Sequence, residues 1–270
     1  MGIGVPSAFA EHSDLKTIGG LKTPESAAAG SNGKVYVSEI GEFGKDGDGQ
    51  ISVVDSDGQL KVFATGMDDP KGIVFVGKDL YVADKTRVLK VASDGKWEVF
   101  AAADAFPIKP QFLNDLVADG LGNVYVSDSG DLSKGGAIFR ISKAGKVVTV
   151  VGSSNPLVLA PNGLLLGGRG TLLEVDFASG TLYSIKLKTG KLTKMAEGFG
   201  GGDGLMRAPG GMLYLSDWKG GRVFSADKKG NVKMIKDGFK ASADIALSAD
   251  GKSIIVPDMK AGELVWLPLH

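Results

Sequence analysis

The sequence predicts an all-β protein, a six-bladed β-propeller, and three observations support this fold class. An acidic residue ends an apolar or alternating run six times, at Glu39, Asp84, Asp128, Asp176, Asp217 and Asp258. The steps between these acids are 45, 44, 48, 41 and 41 residues. A period of about 40–45 residues with several short strands per unit is typical of propeller blades. Glycines also recur between the alternating runs, where hairpin turns require them.

Each repeat is predicted to contain four strands, A to D, from the centre of the ring outward. Strand B is the run before the acid, as in Val35-Tyr36-Val37. Strand C follows the acid, at residues 50–55, 87–92, 137–142, 181–186, 222–227 and 263–268. Strand D follows the glycine turn, at residues 60–65, 97–102, 147–152, 192–197 and 232–237. The sixth repeat lacks strand D, and we expect residues 15–18 to supply it and so close the ring.

The chain divides into a tail, residues 1–14, and one propeller domain, residues 15–270. The tail contains Ala8-Phe9-Ala10, a small-x-small pattern expected before a signal-peptidase cut, but it lacks a basic segment and most of an apolar one. Two interpretations stay open. A remnant of an export signal predicts a periplasmic or secreted protein, whereas an ordinary terminus leaves a cytoplasmic location open.

Composition excludes several functions. Basic and acidic residues number 31 each and no basic run occurs, so we expect no nucleic-acid partner. No apolar run is long enough to span a bilayer, so we expect no membrane partner. Cysteine is absent, and His12 and His270 lie at the termini, which removes thiolate sites, histidine metal sites and a Ser-His-Asp triad. Base chemistry must therefore fall to carboxylates.

A second set of six positions recurs at the start of strand A, which lines the central channel. They lie fourteen residues before each acid, or thirteen in blade two, and we call them the mouth ring: Glu25, Lys71, Asn114, Asn162, Asp203 and Asp244. Three carboxylates and one ammonium carry a net charge of −2, and crowded carboxylates are unfavourable without a counter-charge. Carboxylate and amide oxygens suit a hard cation, which predicts a divalent metal site, most simply for Ca²⁺. The alternative is a set of polar residues that solvate a water-filled channel.

Four short motifs carry a family resemblance. They are Pro24-Glu25, Asn114-Asp115, Pro161-Asn162-Gly163 and Asp203-Gly204. With the repeat count, they resemble the senescence marker protein/gluconolactonase (regucalcin-like) family over residues 15–268, and they are more distantly similar to diisopropylfluorophosphatase and the paraoxonases. The resemblance implies that a divalent metal, most often calcium, is held by Glu25, Asn114, Asn162 and Asp203. It also implies that Asp203 acts as general base or nucleophile and that Asn114 belongs with it to the catalytic set.

The chain departs from this family at residues that should contact substrate. Sugar-lactone members often have an arginine where this chain has Phe112, and Lys71 stands where many relatives have a neutral residue or histidine. Lys71 is expected either to bind a substrate carboxylate or to pair with Glu25 or Asp244. Ser26-Ala27 also follow Glu25 in place of the Gly-Pro that is frequent in the family.

Long loops at residues 40–49, 103–113 and 129–136 should form a partly apolar rim above the channel. We expect the rim to include Phe43, Phe106, Phe112, Leu113 and Leu132. The predicted substrate-binding residues are Lys71, Phe112, Asp244 and Phe43.

These features predict a metal-dependent hydrolase of a small-molecule lactone or related ester. Two alternatives stay open: a phosphotriesterase-like hydrolase that uses the same metal, and a non-catalytic propeller that binds a ligand or protein. The acids at the strand-B ends are interpreted as acceptors of backbone N–H bonds. The segment Asp46-Gly47-Asp48-Gly49 resembles part of a calcium loop, but we interpret it as a hairpin loop because the outer ligand positions do not fit.

Overall fold

Six four-stranded antiparallel sheets follow one another around the ring, which is the predicted six-bladed β-propeller. The computed structural model describes residues 15–269. Among them, a single 3₁₀ turn at Ala103–Ala105 is the sole helical element. No helix in this part of the chain is long and apolar enough to cross a membrane. The strands carry hydrophobic residues on both faces, because neighbouring blades bury each sheet from two sides.

The strands are numbered in chain order. The N-terminal strand is β1 (Thr17–Gly19). Blade one contains β2 (Pro24–Ala29), β3 (Val35–Glu39), β4 (Gly49–Val54) and β5 (Leu60–Met67). Blade two contains β6 (Pro70–Val76), β7 (Asp79–Asp84), β8 (Arg87–Val91) and β9 (Trp97–Ala101). Blade three contains β10 (Leu113–Ala118), β11 (Val124–Asp128), β12 (Ala137–Ile141) and β13 (Val147–Gly152).

The second half of the ring repeats this order. Blade four contains β14 (Pro161–Gly168), β15 (Thr171–Asp176), β16 (Thr181–Lys186) and β17 (Lys191–Glu197). Blade five contains β18 (Gly202–Arg207), β19 (Leu213–Asp217), β20 (Arg222–Ala226) and β21 (Val232–Lys236). Blade six contains β22 (Ala246–Leu247), β23 (Ser253–Asp258) and β24 (Glu263–Pro268).

The N-terminal strand closes the ring, as the sequence predicts. Strand β1 pairs antiparallel with β24, with Ile18 opposite Leu264, so it is the outermost strand of blade six. It spans residues 17–19 instead of 15–18, and the backbone N–H of Trp266 adds a bond of 2.9 Å to the carbonyl of Lys16. The expectations for the tail, including Ala8-Phe9-Ala10, lie outside the described residues.

The six acids at the strand-B ends accept backbone N–H bonds, as predicted, and we call them the capping acids. Asp84 accepts the N–H groups of Asp68 and Asp69 at 2.9 Å each. These donors belong to the connection that enters the blade, and the same contact recurs in the other five blades. Some capping acids also accept from the following hairpin, as Asp217 does from Gly220. Each capping acid therefore fixes the connection between its own blade and the one before.

Strand A is irregular at the mouth ring in blades one to five. Its pairing with strand B skips two residues, for example between Pro161 and Leu164 in blade four. The same shift occurs in the other four blades. The skipped residues are the mouth-ring residue and the one after it, so the ladder does not fix their direction. The irregularity thus allows five side chains to turn toward the channel mouth.

Candidate metal centre

A cavity of about 390 Å³ lies at the channel mouth. Five of the six mouth-ring residues line it, each from a different blade: Glu25, Lys71, Asn114, Asn162 and Asp203. All five are at most 4% exposed. Polar groups are seldom buried this deeply without partners, so the partners of these side chains indicate their purpose.

Four of these side chains each have a buried oxygen without a hydrogen-bond partner. The atoms are Glu25 Oε2, Asn114 Oδ1, Asn162 Oδ1 and Asp203 Oδ1. Leaving a buried acceptor unsatisfied costs about 1–3 kcal/mol, and here four such atoms border one cavity. Only two other buried side-chain atoms in the described residues, on Asp48 and Glu174, share this property. The four oxygens are the donor set that a hard divalent cation takes, so the residues present fit the predicted metal.

The amide of Asn114 is held in one orientation. Its Nδ2 donates to Ser129 Oγ at 3.0 Å, and Ser129 Oγ donates to the carbonyl of Pro161 at 2.8 Å. Because the nitrogen is engaged, the Oδ1 atom is the one left for a ligand. Ser129 is a supporting residue that the sequence reasoning missed, although it directly follows the capping acid Asp128.

The electrostatics of the cavity also favour a cation. Burial raises the pKa of Glu25 well above its usual range, and the charges of Asp203 and Asp244 raise it further. Burial and the charge of Asp244 do the same to the pKa of Asp203. A bound cation would remove this penalty on the charged carboxylates. Within residues 15–269, no group of three or more His, Cys, Asp or Glu side chains could hold a metal, so the candidate site depends on its two amides.

Asp244 does not line the cavity, so its position does not support the predicted substrate contact. Its carboxylate accepts the hydroxyl of Ser26, and its N–H donates to the carbonyl of Glu25 at 2.9 Å. Burial raises the pKa of Asp244 to about 7. Blade six has an inner strand of two residues that begins after Asp244, so this residue lies outside the strand and bridges to blade one instead.

Lys71 is 1% exposed, and its ammonium has two contacts besides the cavity. Its Nζ donates to the carbonyl of Asp69 at 3.0 Å and lies 4.2 Å from the centre of the Phe112 ring. Burial lowers the pKa of Lys71 from its usual value. The expected ion pair with Glu25 or Asp244 is not among the ion pairs of the described residues. The alternative, contact with a substrate anion, is consistent with this position.

The rim is apolar, but its membership differs from the prediction. Phe43, Phe112 and Leu132 line the cavity as expected. The prediction for Phe106 and Leu113 is wrong: both are buried between blades, and Phe106 packs edge-on against Phe139 at 5.0 Å between ring centres.

Four other apolar residues complete the cavity wall. They are Ile40, Phe177, Trp218 and Met259. Each directly follows a capping acid, so the repeat itself places the next side chain over the channel. This fixed offset is the signal that could have identified them in the sequence.

The glycines of the family motifs allow the inner strands to approach closely. A Cβ at Gly163 would lie 2.1 Å from the carbonyl oxygen of Asp203, and one at Gly204 would lie 2.3 Å from the nitrogen of Ile245. In blade three the equivalent residue is Asp115, whose carboxylate accepts the N–H of Leu164 at 2.6 Å. These contacts join successive blades directly beneath the mouth ring.

The loop at residues 46–49 is consistent with a hairpin loop. Asp46 pairs with Lys85 at 2.5 Å, and Asp48 pairs with Lys45 at 3.5 Å. Lysine side chains therefore pair with one oxygen of each of the two carboxylates that a calcium loop would use, and Asp48 Oδ1 is left without a partner among the described residues.

Comparison with solved structures agrees with this fold. Regucalcin from Agrobacterium tumefaciens, whose description calls it a calcium-binding protein, is 16% identical with a TM-score of 0.75, covering 92% of this chain and 90% of its own. A gluconolactonase from Xanthomonas campestris is 15% identical with a TM-score of 0.76, covering 98% and 94%. Virginiamycin B lyase from Staphylococcus aureus, a catalytically inactive histidine-to-alanine variant with quinupristin, is 15% identical with a TM-score of 0.64, covering 95% and 99%.

Sequence comparison identifies the family. No curated protein sequence matches the chain. Residues 67–256, well over half of the sequence, match the family described as the SMP-30/gluconolactonase/LRE-like region. The blade count, the motifs around the mouth ring and this match lead to one conclusion: the chain belongs to the SMP-30/gluconolactonase/LRE-like family.

Proposed function

We propose that the protein is a divalent-metal-dependent hydrolase of a lactone or related ester, with calcium as the first candidate metal. The observation that carries the proposal is the set of four unpartnered oxygens on Glu25, Asn114, Asn162 and Asp203 around one cavity. Family membership supports lactonase-type chemistry. The apolar wall above the four oxygens supports a small-molecule substrate.

The proposed roles follow from the contacts of each residue. A divalent cation held by the four side chains would supply Lewis-acid polarisation of the substrate carbonyl. Asp203 would take the proton from the attacking water or attack directly, since its buried carboxylate borders the cavity in which the substrate would lie. Asn114, fixed by Ser129, would hold its carbonyl oxygen in place throughout the reaction. The apolar residues above them would exclude bulk water.

The cavity wall favours an aliphatic or aromatic acyl group over a sugar. Four aromatic residues border the same cavity as the candidate metal ligands: Phe43, Phe112, Phe177 and Trp218. Burial of each methylene contributes about 0.8 kcal/mol, whereas sugar hydroxyls against phenyl rings would lose hydrogen bonds to water. We therefore expect simple alkyl or aryl lactones and esters to be turned over faster than gluconolactone.

The test is a hydrolysis panel on purified protein treated with chelator and then reloaded with calcium or another divalent ion. Dihydrocoumarin, gluconolactone and paraoxon represent an aryl lactone, a sugar lactone and a phosphotriester. Asp203→Asn is the inactivating variant. Glu98→Gln is its matched control, because Glu98 is an exposed carboxylate on strand β9 whose side chain is 73% accessible.

Each result points to one function. Metal-dependent hydrolysis of the lactones supports the proposal, while faster hydrolysis of paraoxon would replace it with the phosphotriesterase alternative. Calcium binding with no turnover of any substrate would leave a ligand-binding propeller. A lyase that depends on histidine is a weaker candidate, since residues 15–269 contain no histidine.

A further inference from the structure

Three lysine ammonium groups lie over aromatic rings that border the cavity. The pairs are Lys71 over Phe112 at 4.2 Å, Lys219 over Phe177 at 4.3 Å and Lys260 over Trp218 at 4.3 Å. All three aromatic residues line the cavity, as do Lys71 and Lys219. Such contacts hold a cation against an apolar surface without neutralising it. The cavity therefore combines an apolar wall with fixed positive charge.

Within the described part of the chain, none of these three lysines forms an ion pair, although the charges of Asp69 and Glu25 act on Lys71 from a greater distance. The ion pairs among residues 15–269 involve other lysines and arginines, at the loops and on the outer strands. Lys71 and Lys219 instead donate to backbone carbonyls, of Asp69 and Phe177. The nearby carboxylates offset only part of the cost of burying the Lys71 ammonium, because its pKa is still lowered overall by burial. Its position on the cavity wall leaves room for an anion that is not part of the protein.

The charges on the cavity wall lead to the same conclusion. Its charged lining residues are Glu25, Asp203, Lys71 and Lys219. If the two carboxylates hold a divalent cation, as in the proposed function, the cation balances them and the two ammonium groups remain. With the cation bound and no substrate present, the cavity would carry a net positive charge. It would then bind a ligand with one negative charge in preference to a neutral one.

We infer that the substrate is an amphiphilic anion: an aryl or alkyl lactone or ester that also bears a carboxylate. This inference rests on the proposed function and names its substrate class. The apolar part packs against the aromatic wall, and the carboxylate meets the Nζ of Lys71. Lys219, which is exposed at the mouth on the opposite side of the ring, draws the anion in. Lys71 and Lys219 are thus specificity-determining residues.

The test uses two esters of equal shape, 4-acetoxybenzoate and its neutral counterpart 4-acetoxybenzamide. The intact, calcium-loaded protein should show kcat/KM for the anion at least about tenfold higher, as expected for one charge-assisted contact. Lys71→Met should reduce this ratio to near one by slowing the anion alone. Lys219→Met should reduce the ratio partly. Added salt should lower kcat/KM for the anion less in that variant than in the wild type. Lys188→Met, an exposed lysine on the hairpin between β16 and β17, should leave the ratio unchanged.

Two outcomes would overturn the inference. An equal loss for both esters in Lys71→Met would mean that Lys71 stabilises the reaction itself and does not recognise a substrate charge. A wild-type ratio near one would mean that the cavity does not select anions. Circular dichroism checks that Lys71→Met is folded. If it is not, the inference is tested by the ratio of the two kcat/KM values in the wild type and in Lys219→Met.

A binding measurement separates this inference from the proposed function. Calorimetric titration with benzoate and benzamide needs no turnover. Tighter binding of benzoate that is weakened in Lys219→Met supports the anion site even if neither ester is hydrolysed. Equal affinities overturn it even if the protein proves to be a lactonase.

Discussion

The two rings of polar residues, the capping acids and the mouth ring, are equally buried but differ in their hydrogen bonds. Asp128, a capping acid, is 1% exposed and accepts the backbone N–H groups of Gln111, Phe112 and Gly130. Asp203, in the mouth ring, is 4% exposed and has an oxygen with no partner. Burial alone therefore does not distinguish a structural carboxylate from a functional one. Asp128 and Asp203 differ instead in whether the protein supplies a hydrogen-bond partner for the carboxylate.

This difference predicts opposite effects of mutation. Removing a capping acid leaves backbone donors without an acceptor and should cost stability. Removing a mouth-ring acid relieves repulsion among carboxylates and should cost function instead. Proteins commonly hold functional sites at the expense of stability in this way.

The largest expected effect is on activity in Asp203→Asn. We expect hydrolysis to fall by about a thousandfold or more, since both the proposed base and one metal ligand are changed. The melting temperature of the metal-free protein should stay the same or rise, because one of the repelling carboxylates is removed. Steady-state kinetics and thermal denaturation measure the two effects. A large loss of stability in the metal-free variant would indicate that Asp203 has a structural role like that of the capping acids.

The next effect is on stability in Asp128→Ala. Three backbone N–H groups lose their acceptor, so we expect the free energy of unfolding to fall by about 2–4 kcal/mol. Urea denaturation measures it, and Asp128→Asn, which keeps one acceptor oxygen, should lose less. A loss below 0.5 kcal/mol in the alanine variant would indicate that the connection into blade three does not need this acid.

Calcium should stabilise the folded state through the mouth ring alone. A ligand at about 100 times its dissociation constant contributes about 2.7 kcal/mol, so the melting temperature should rise on addition of calcium to chelated protein. Glu25→Gln should remove most of that rise, while Glu98→Gln should retain it. If both variants respond like the wild type, the stabilising ion binds elsewhere.

The smallest expected effect concerns Glu174, a buried carboxyl that belongs to neither ring. It lies in strand β15 where other blades have an apolar residue, such as Val126, and its Oε1 has no partner. Burial raises the pKa of Glu174 well above its usual value of 4.5. Above pH 4.5 the unfolded state releases this proton while the folded state still holds it. The free energy of unfolding therefore falls as the pH rises above 4.5.

Glu174→Gln removes this penalty. We expect it to stabilise the protein by about 1 kcal/mol at pH 8 and by less at pH 4, measured by denaturation at both values. The reciprocal change Val126→Glu should destabilise the protein, more at pH 8. Equal effects of Glu174→Gln at both pH values would mean that the carboxyl ionises at no cost in the fold.

The parts of the structure that repeat were predictable from the sequence, because a repeat places equivalent residues at fixed offsets. The capping acids, the closing strand and five lining residues of the mouth ring follow from this regularity. Asp244 does not, since the inner strand of blade six is too short to place it like its counterparts. Phe106 was misplaced because it packs against Phe139 in β12, a strand well separated from it in the sequence, and local sequence carries no signal for such a contact.

The pairing of β1 with β24 has a consequence for how the chain folds during synthesis. Thr17 lies opposite Val265, so these partners are separated by nearly the whole described chain. Contacts of such sequence separation form late, because the entropy of closing the loop must be overcome first. On the ribosome, β1 emerges early and stays without its partner while five blades are made. Final closure of the ring therefore waits until the last blade has been made, and until then the exposed edge of β1 can pair with another chain.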